Sequence, residues 1–301
     1  MSGAPLISVC IPVFNSEVIS LVKSLADQCE SLENKVEIIV IDDCSDIDWK
    51  LKNESIKNSC NYIELEENIG RSKIRNLFLD YAQGVFLLFI DGDSEIIDSL
   101  FIQKYIDFIQ ENSPDVLVGA SIYLPDPPDR EHLLRWEYSR KRESKNATER
   151  KKISGGFKTN NFAIKRSVFS TIKFNSELVG YGHEDTLFGI ELDRNNIKID
   201  HIENPVLNKH LDSNELFLIK TKNAIQNLVL LFGKSSEIPE IKRIRLIRFY
   251  EKIKKWKLIN LVNLIFLIGR PMLLKLLQSG YFFLWMFDFY KLGLFVRQIK
   301  V

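Results

Sequence analysis

With 301 residues, of which 45% are hydrophobic and 27% charged, the chain has an ordinary folded composition and room for one large α/β domain, with or without an appendage. Its net charge of +1 hides an asymmetry: residues 234–301 contain 14 Lys and Arg against 4 Asp and Glu, so they carry +10 and residues 1–233 carry −9. The basic tail indicates an anionic partner, and four cysteines without a CxxC pair argue against a disulfide framework and a zinc site.

Strands and helices alternate along the first 120 residues. Apolar runs at 6–15, 36–41, 61–65 and 85–90 predict strands, and the stretches between them predict helices. This alternation favours an α/β fold with a largely parallel sheet and helices on both faces. No GxGxxG follows the first strand and no GxxxxGK[ST] occurs, so the usual dinucleotide and P-loop sites are not supported.

Carboxylates end two of the predicted strands. One strand runs into Asp42 and Asp43, and the strand at 85–90 runs into Asp91 and Asp93, with a glycine between the two acids. In a parallel sheet the carboxyl ends of the strands share one edge, so both acid pairs can line a single cleft. Paired carboxylates suit Mg²⁺ or Mn²⁺, especially where a phosphate supplies further oxygens. The alternative is a plain Asp-Gly turn.

Four short motifs stand in a characteristic order. They are Ile11-Pro12-Val13-Phe14-Asn15, Ile41-Asp42-Asp43-Cys44-Ser45-Asp46, Asn68-Ile69-Gly70 with Arg71, Arg75 and Asn76, and Ile90-Asp91-Gly92-Asp93. Over about residues 5–233 the chain resembles the family 2 glycosyltransferases of bacterial cell-surface polysaccharide synthesis. The resemblance implies a GT-A fold, a Rossmann-like and mostly parallel sheet flanked by helices. It places a catalytic domain at 1–233, with a nucleotide-sugar half at about 1–120 and an acceptor half at about 121–233.

The resemblance also implies roles for the motif residues. Residues after the first strand flank the base, and an acid after the second strand reads a uracil ring; Cys44 stands where the family usually has glycine. Asp91 and Asp93 serve the ribose and a Mn²⁺ or Mg²⁺ ion on the diphosphate. Arg71 and Arg75 lie near the start of a predicted helix, where the resemblance implies that they contact the diphosphate. The alternative is that at least one of them is a solvated surface residue. The implied donor-binding residues are Pro12, Phe14, Asn15, Asp42, Asp43, Gly70, Arg71, Arg75, Asp91, Gly92 and Asp93.

Glu184 and Asp185 open a predicted helix after a glycine-rich turn at 180–182. Carboxylates are favoured electrostatically at a helix N-terminus, so capping is one explanation. The resemblance implies instead that Asp185 is the general base that takes a proton from an acceptor hydroxyl. Glu184 would then contact the acceptor or position the loop.

The last strand of the domain, predicted at 197–206, leads to a third metal-binding candidate. Relatives in the resembling family commonly place a histidine just after Asn-Pro-Val, where it completes the metal shell. Here the equivalent position is Asn208, and His210 lies two residues further, on the same strand face. The implied metal ligands are Asp91, Asp93 and His210, with Asn208 left open as the alternative.

The tail at 234–301 combines cations with apolar and aromatic stretches. Residues 241–257 alternate branched or aromatic side chains with Lys and Arg, and 258–268 are intensely apolar. No run reaches about 18 uninterrupted apolar residues, which disfavours a spanning helix. We therefore expect residues 240–301 to form helices that lie on an anionic membrane surface. The alternative is a helical subdomain or dimer face; the acidic body and missing recognition motifs argue against nucleic acid.

The resemblance implies an inverting hexosyl- or N-acetylhexosaminyltransferase. It would move a sugar from a nucleoside diphosphate donor, UDP-linked by preference, to a lipid-linked or polysaccharide acceptor. Two alternatives remain open: a metal-dependent nucleotidyl- or phosphotransferase, and a non-catalytic membrane-bound scaffold that binds nucleotide sugars. No signal peptide is visible, so the expected location is the cytoplasm, peripheral on the inner face of the cell membrane.

Overall fold

The computed structural model describes residues 4–32, 35–151, 157–178 and 180–300. The chain divides into two compact units, which we call the sheet unit and the helical unit. The sheet unit comprises Met1–Leu124, Ser144–Glu177 and Glu184–His210. The helical unit comprises Pro125–Glu143, Leu178–His183 and Leu211–Val301. The predicted domain boundary at residue 233 stays a prediction, and the compact units divide the chain at other points.

The helices and strands follow one another in chain order. They are β1 (Ile7–Val13), α1 (Ile19–Cys29), β2 (Val36–Asp42), α2 (Ile47–Asn53), β3 (Asn61–Glu64), α3 (Arg71–Tyr81), β4 (Phe86–Ile90), β5 (Ser94–Ile96), α4 (Phe101–Asn112), β6 (Val116–Ile122), α5 (Leu133–Tyr138), α6 (Ala147–Lys151), β7 (Asn161–Lys165), α7 (Arg166–Thr171), α8 (Glu184–Arg194), β8 (Ile199–Asn208), α9 (Asn214–Gly233), α10 (Arg245–Lys255), α11 (Ile259–Gln278) and α12 (Leu284–Lys300).

In the described part of the chain, eight strands form one sheet in the order β3-β2-β1-β4-β7-β6-β8-β5. The pairs β1–β2, β1–β4, β2–β3 and β6–β8 are parallel. β7 runs antiparallel to β4 and β6, and the short β5 runs antiparallel to β8. The predicted α/β fold with a mostly parallel sheet and flanking helices is therefore confirmed.

The core of the sheet unit lies on both faces of the sheet, and β4 shows why its sequence is so apolar. All five residues of β4 are buried. Leu88 and Ile90 join an apolar cluster with residues of α1 and α4, whereas Leu87 and Phe89 join a second cluster with residues of α3, α7 and α8. A strand that is covered on both faces needs a continuous apolar run rather than an alternating one.

The helical unit has an apolar core of its own. α12 packs against both α9 and α11. The rings of Phe217 on α9 and Phe287 on α12 have centroids 5.2 Å apart. A Cβ at Gly293 of α12 would stand only 2.1 Å from the Phe266 ring of α11, so the absence of a side chain there permits the close approach of these helices. Of the described residues, α11 is the one helix that is long and apolar enough to cross a membrane.

Candidate functional site

The ends of three neighbouring strands bring the predicted donor-binding residues to one edge of the sheet. In the parallel pair β1–β2, Val13 lies in register with Asp42. β4 lies on the other side of β1, and Asp91 follows it directly. β7 begins at this same edge, because its Asn161 pairs with Ile90. Open α/β sheets bind their ligands at the carboxyl ends of strands, which makes this edge the candidate site.

Asp42 and Asp43 are both buried and hold the loops around them. The Asp42 carboxylate accepts hydrogen bonds from the backbone N–H of Ser45, at 2.6 Å, and from the Tyr62 hydroxyl, at 2.8 Å. The Asp43 carboxylate accepts hydrogen bonds from the backbone N–H of Ile69, at 2.7 Å, and from that of Gly70, at 2.9 Å. These bonds fix the end of β2 to β3 and to the start of α3.

Burial raises the pKa of Asp43, and the charge of Asp42 adds to this rise. The two backbone N–H groups that Asp43 accepts from oppose the rise, because they stabilise the ionised carboxylate. A carboxylate has about four lone-pair sites, so these bonds leave Asp43 capacity for a further donor such as a base N–H. That one of these acids reads the base stays a prediction.

The turns after β1 and β2 both contain a residue with a left-handed backbone. Asn15 has φ +48° and Cys44 has φ +62°. This conformation costs other residues about 1–2 kcal/mol relative to glycine, which explains why the resembling family usually has glycine in place of Cys44. Asn15 Oδ1 accepts from the N–H of Asp46 at 2.8 Å, and its Nδ2 donates to Asp46 Oδ2 at 3.1 Å. The two turns are thus joined, and the Phe14 ring stays exposed beside them.

Arg75, Asp91 and Arg71 form a chain of charges at this edge. Arg75 Nη2 donates to Asp91 Oδ1 at 2.6 Å, and its Nη1 donates to the backbone oxygen of Arg71 at 3.1 Å. Arg71 Nη2 lies 3.6 Å from Asp91 Oδ2. Only 2% of the Arg75 side chain is exposed, against 41% for Arg71. Burial lowers the pKa of Arg75, and the charge of Asp91 opposes that shift.

The same chain of charges reaches the first residues of α8. Arg71 Nε donates to Glu184 Oε1 at 3.1 Å, and Glu184 is buried. Lys158 Nζ donates to Asp185 Oδ2 at 3.1 Å, while Asp185 Oδ1 accepts from the N–H of Thr186 at 2.7 Å. The structure therefore brings both predicted catalytic carboxylates to the edge that carries Asp91. No sequence motif pointed to Lys158, which precedes β7 and reaches this edge because β7 runs antiparallel to β4.

A tight turn presents the two acids after β4. The N–H of Ser94 donates to the backbone oxygen of Asp91 at 3.0 Å. A Cβ at Gly92 would stand 3.2 Å from the backbone oxygen of Pro12, which is closer than most such contacts. Glycine at this position therefore lets the turn pack against the end of β1, and Asp93 is exposed just beyond it.

The predicted set of three metal ligands is not assembled in the structure. Over the described residues, no group of three or more His, Cys, Asp and Glu side chains lies close enough to hold a metal ion. His210 is exposed after β8, and Asn208 Nδ2 donates to the Tyr123 hydroxyl at 3.0 Å. Asp91 and Asp93 still offer the hard oxygen donors that Mg²⁺ and Mn²⁺ prefer. The donor set of Asp91 and Asp93 thus fits an ion whose further ligands a diphosphate supplies.

Comparison with known proteins assigns the chain to a family. The model of "Glycosyl transferase family 2" matches residues 8–173, more than half of the chain. The chain belongs to glycosyl transferase family 2. The matched residues include the strand ends, α3 and the turn after β4, whereas α8 with Glu184 and Asp185 follows the matched range.

The curated relatives of this family 2 chain are bacterial. TarS of Staphylococcus aureus, a poly(ribitol-phosphate) beta-N-acetylglucosaminyltransferase, is 36% identical over 116 residues, which cover 37% of this chain and 20% of TarS. A GalNAc(5)-diNAcBac-PP-undecaprenol beta-1,3-glucosyltransferase of Campylobacter jejuni is 30% identical over 198 residues, covering 61% of this chain and 59% of that protein. The chain thus spans about a fifth of TarS and somewhat more than half of the Campylobacter enzyme.

Solved structures share the fold. The structure of S. aureus TarS 1–349 in complex with UDP-GlcNAc covers 97% of this chain and 91% of its own, with a TM-score of 0.53 and 20% identity. A mannosyltransferase from Pyrobaculum calidifontis, in complex with GDP-Man and Mn²⁺, covers 77% and 65%, with a TM-score of 0.54 and 15% identity. The GT-A fold class predicted from the sequence is confirmed by these likenesses.

The sequence predictions for the site divide into two groups. The family and the glycosyltransferase class are confirmed, and the structure places most of the predicted donor-binding and catalytic residues at one edge. The roles of the individual residues stay predictions, as does the choice between Asn208 and His210.

Proposed function

We propose that this chain transfers a sugar from a nucleoside diphosphate donor, UDP-linked by preference, to a lipid-linked or polysaccharide acceptor, with inversion at the sugar. The observation that carries the proposal is the chain of charges from Arg75 through Asp91 and Arg71 to Glu184, beside Asp185. It links the predicted donor-binding residues to the predicted catalytic carboxylates. The names of the relatives support a UDP-sugar and a glycan or lipid-linked acceptor.

On the donor side, the chain's residues bind and orient the nucleotide. Asp42 or Asp43 would accept from the base, and the exposed Phe14 ring offers a surface beside it. Arg71, half-exposed at the start of α3, would contact the diphosphate. Asp91 and Asp93 would hold a divalent cation, which when bound would stabilise negative charge on the leaving diphosphate.

On the acceptor side, Asp185 would act as the general base. In a single displacement, the acceptor oxygen forms a bond to the sugar carbon as the bond from that carbon to the diphosphate oxygen breaks. The hydroxyl proton passes to the Asp185 carboxylate, and the nucleoside diphosphate leaves with the electron pair. Glu184 is buried and paired with Arg71, so we assign it to positioning the start of α8.

The test is donor turnover, measured as release of free UDP from UDP-sugars in the presence of Mn²⁺ and an acceptor extract. Removing a positioned general base costs about 10²–10⁴-fold in rate, so Asp185→Asn should lose at least the lower of these factors. Asp193→Asn makes the same change on an exposed position of the same helix and should keep the wild-type rate. Equal rates for Asp185→Asn and the wild type would show that Asp185 is not the general base.

The product separates this proposal from the second reaction class. Glycosyl transfer releases the intact nucleoside diphosphate. A nucleotidyltransferase given the same UDP-sugar would transfer the nucleoside monophosphate and release a sugar phosphate, and that result would overturn the proposed reaction.

A further inference from the structure

α11 (Ile259–Gln278) is apolar on both of its faces, and one face is already packed. Phe266, Leu273 and Leu277 are buried. Phe266 contacts Phe289 and Tyr290 of α12, with ring centroids 6.1 and 6.2 Å away. The packed face therefore accounts for only part of the apolar surface of this helix.

The opposite face of α11 is an exposed apolar stripe. Its members recur at helical spacing, and we call them the outer stripe: Leu261, Leu264, Ile265, Ile268 and Met272. Ile268 and Met272 expose 75% and 70% of their surface. Soluble proteins rarely expose a contiguous apolar patch of this kind, and such patches mark contact surfaces for proteins or membranes.

Exposed aromatic side chains stand at both ends of the outer stripe. Trp256 precedes α11, and Tyr281, Phe283 and Trp285 follow it within the next few residues. Tyr and Trp rings, which have a polar edge, favour the boundary between lipid headgroups and hydrocarbon, where they can anchor a helix that lies along that boundary.

Lysines complete the surface. Lys254, Lys255 and Lys257 lie just before α11, and Lys275 lies in its last turns; all four are exposed. Within the described part of the chain, none of the four is paired with a carboxylate. Their charge is therefore available to an anionic partner.

We propose that the outer stripe of α11 docks in the plane of an anionic lipid bilayer, on the inner face of the cell membrane. Apolar side chains would enter the acyl boundary, while the lysines contact lipid phosphates. A second copy of the chain fits this surface less well, because pairing two stripes would bring like charges together. Spanning the bilayer would require α11 to leave its packed contacts with α12. The inference does not depend on the proposed reaction.

The test is flotation of the full chain with vesicles of phosphatidylcholine alone or of phosphatidylcholine with phosphatidylglycerol. Ile268→Glu with Met272→Glu places two charges in the stripe, and we expect binding to fall about ten-fold or more. The matched control is Ile47→Glu with Leu51→Glu on α2. Those residues have the same spacing and similar exposure, 66% and 64%, and lie in the sheet unit. The control should float like the wild type.

A second variant tests the charges. Lys254→Gln, Lys255→Gln and Lys257→Gln together should weaken binding to the phosphatidylglycerol vesicles by roughly a hundred-fold at low salt, at about 1 kcal/mol per lysine. Binding to phosphatidylcholine alone should change little. High salt should reproduce this loss in the wild type, because it screens the attraction to the anionic surface.

Three outcomes would overturn the proposal. Equal flotation of the stripe variant and its matched control would show that the outer stripe does not bind the vesicles. Light scattering that shows a dimer which the stripe variant dissociates, together with no vesicle binding, would assign the surface to a second copy. Binding that resists both high salt and alkaline carbonate would mean that α11 spans the bilayer.

Discussion

At the scale of single residues, the pair of Arg75 and Asp91 determines how Asp91 can meet a ligand. Asp91 Oδ1 faces the buried guanidinium at 2.6 Å, so the other oxygen carries most of its remaining capacity. Arg71 approaches that second oxygen from a more exposed position. We therefore interpret Arg75 as a positioning residue that acts through Asp91, and Arg71 as the arginine that a diphosphate can reach.

We predict that Arg75→Met destabilises the protein far more than Arg71→Met. Removing one partner of a buried ion pair leaves an uncompensated charge and costs about 3–5 kcal/mol. Arg71 is substantially exposed, and its ion pairs should contribute about 1 kcal/mol or less. Urea unfolding of the two variants beside the wild type measures both losses.

Arg75→Lys adds a control, because it keeps the charge but loses the planar fork, and should lie between the other two variants. If Arg75→Met and Arg71→Met lowered the free energy of unfolding equally, Arg75 would not have the supporting role described for it.

At the scale of elements, the acids at the strand ends were predictable and the partners of those acids were not. A continuous apolar run followed by Asp91 indicates both a buried strand and its end. Arg71 and Arg75 are four residues apart and lie on one face of α3, so the sequence pattern alone predicts the same exposure for both. Only tertiary packing, which sets the Arg75 guanidinium 5.8 Å from the Phe174 ring, buries one and leaves the other exposed.

The contacts of α8 were outside the reach of sequence patterns for a similar reason. Arg71 and Glu184 are 113 positions apart, and no local periodicity encodes a pair at that separation. Lys158 reaches Asp185 only because β7 runs antiparallel to its neighbours, and an apolar strand pattern does not reveal direction. Asp185 could be identified from the resemblance to a family, whereas the residues that contact it could be identified only from the folded structure.

The contact between α11 and α12 predicts that replacing glycine by alanine destabilises the protein at one position and stabilises it at another. A Cβ at Gly293 would overlap the Phe266 ring, so Gly293→Ala forces a shift in a packed core and should cost about 1–3 kcal/mol, less the gain in helix propensity. Gly269 on α11 has no atom within 4 Å of such a Cβ. Gly269→Ala should therefore gain up to about 1 kcal/mol.

Thermal unfolding followed by calorimetry measures both variants. The melting temperature should fall for Gly293→Ala and rise or stay constant for Gly269→Ala. A rise for both would mean that α12 and α11 are not in close contact at Gly293.

At the scale of the whole molecule, charge and fold separate the two proposed activities. The edge with the predicted donor-binding residues lies in the sheet unit, and the outer stripe lies in the helical unit. Residues 1–233 carry −9 and residues 234–301 carry +10, so we expect the proposed attraction to anionic lipid to come mainly from the tail. A nucleotide bound through a metal ion and a bilayer bound through lysines and apolar side chains require different chemistry.

We therefore predict that each activity can be removed without the other. Chelation with EDTA should abolish UDP binding, measured by calorimetry in Mn²⁺, because the diphosphate loses the ion that Asp91 and Asp93 would share with it. The same treatment should leave flotation with phosphatidylglycerol vesicles unchanged. Ile268→Glu with Met272→Glu should do the reverse. If EDTA released the protein from vesicles, a cation would bridge it to the lipid; if the stripe variant lost UDP binding, the two surfaces would be coupled.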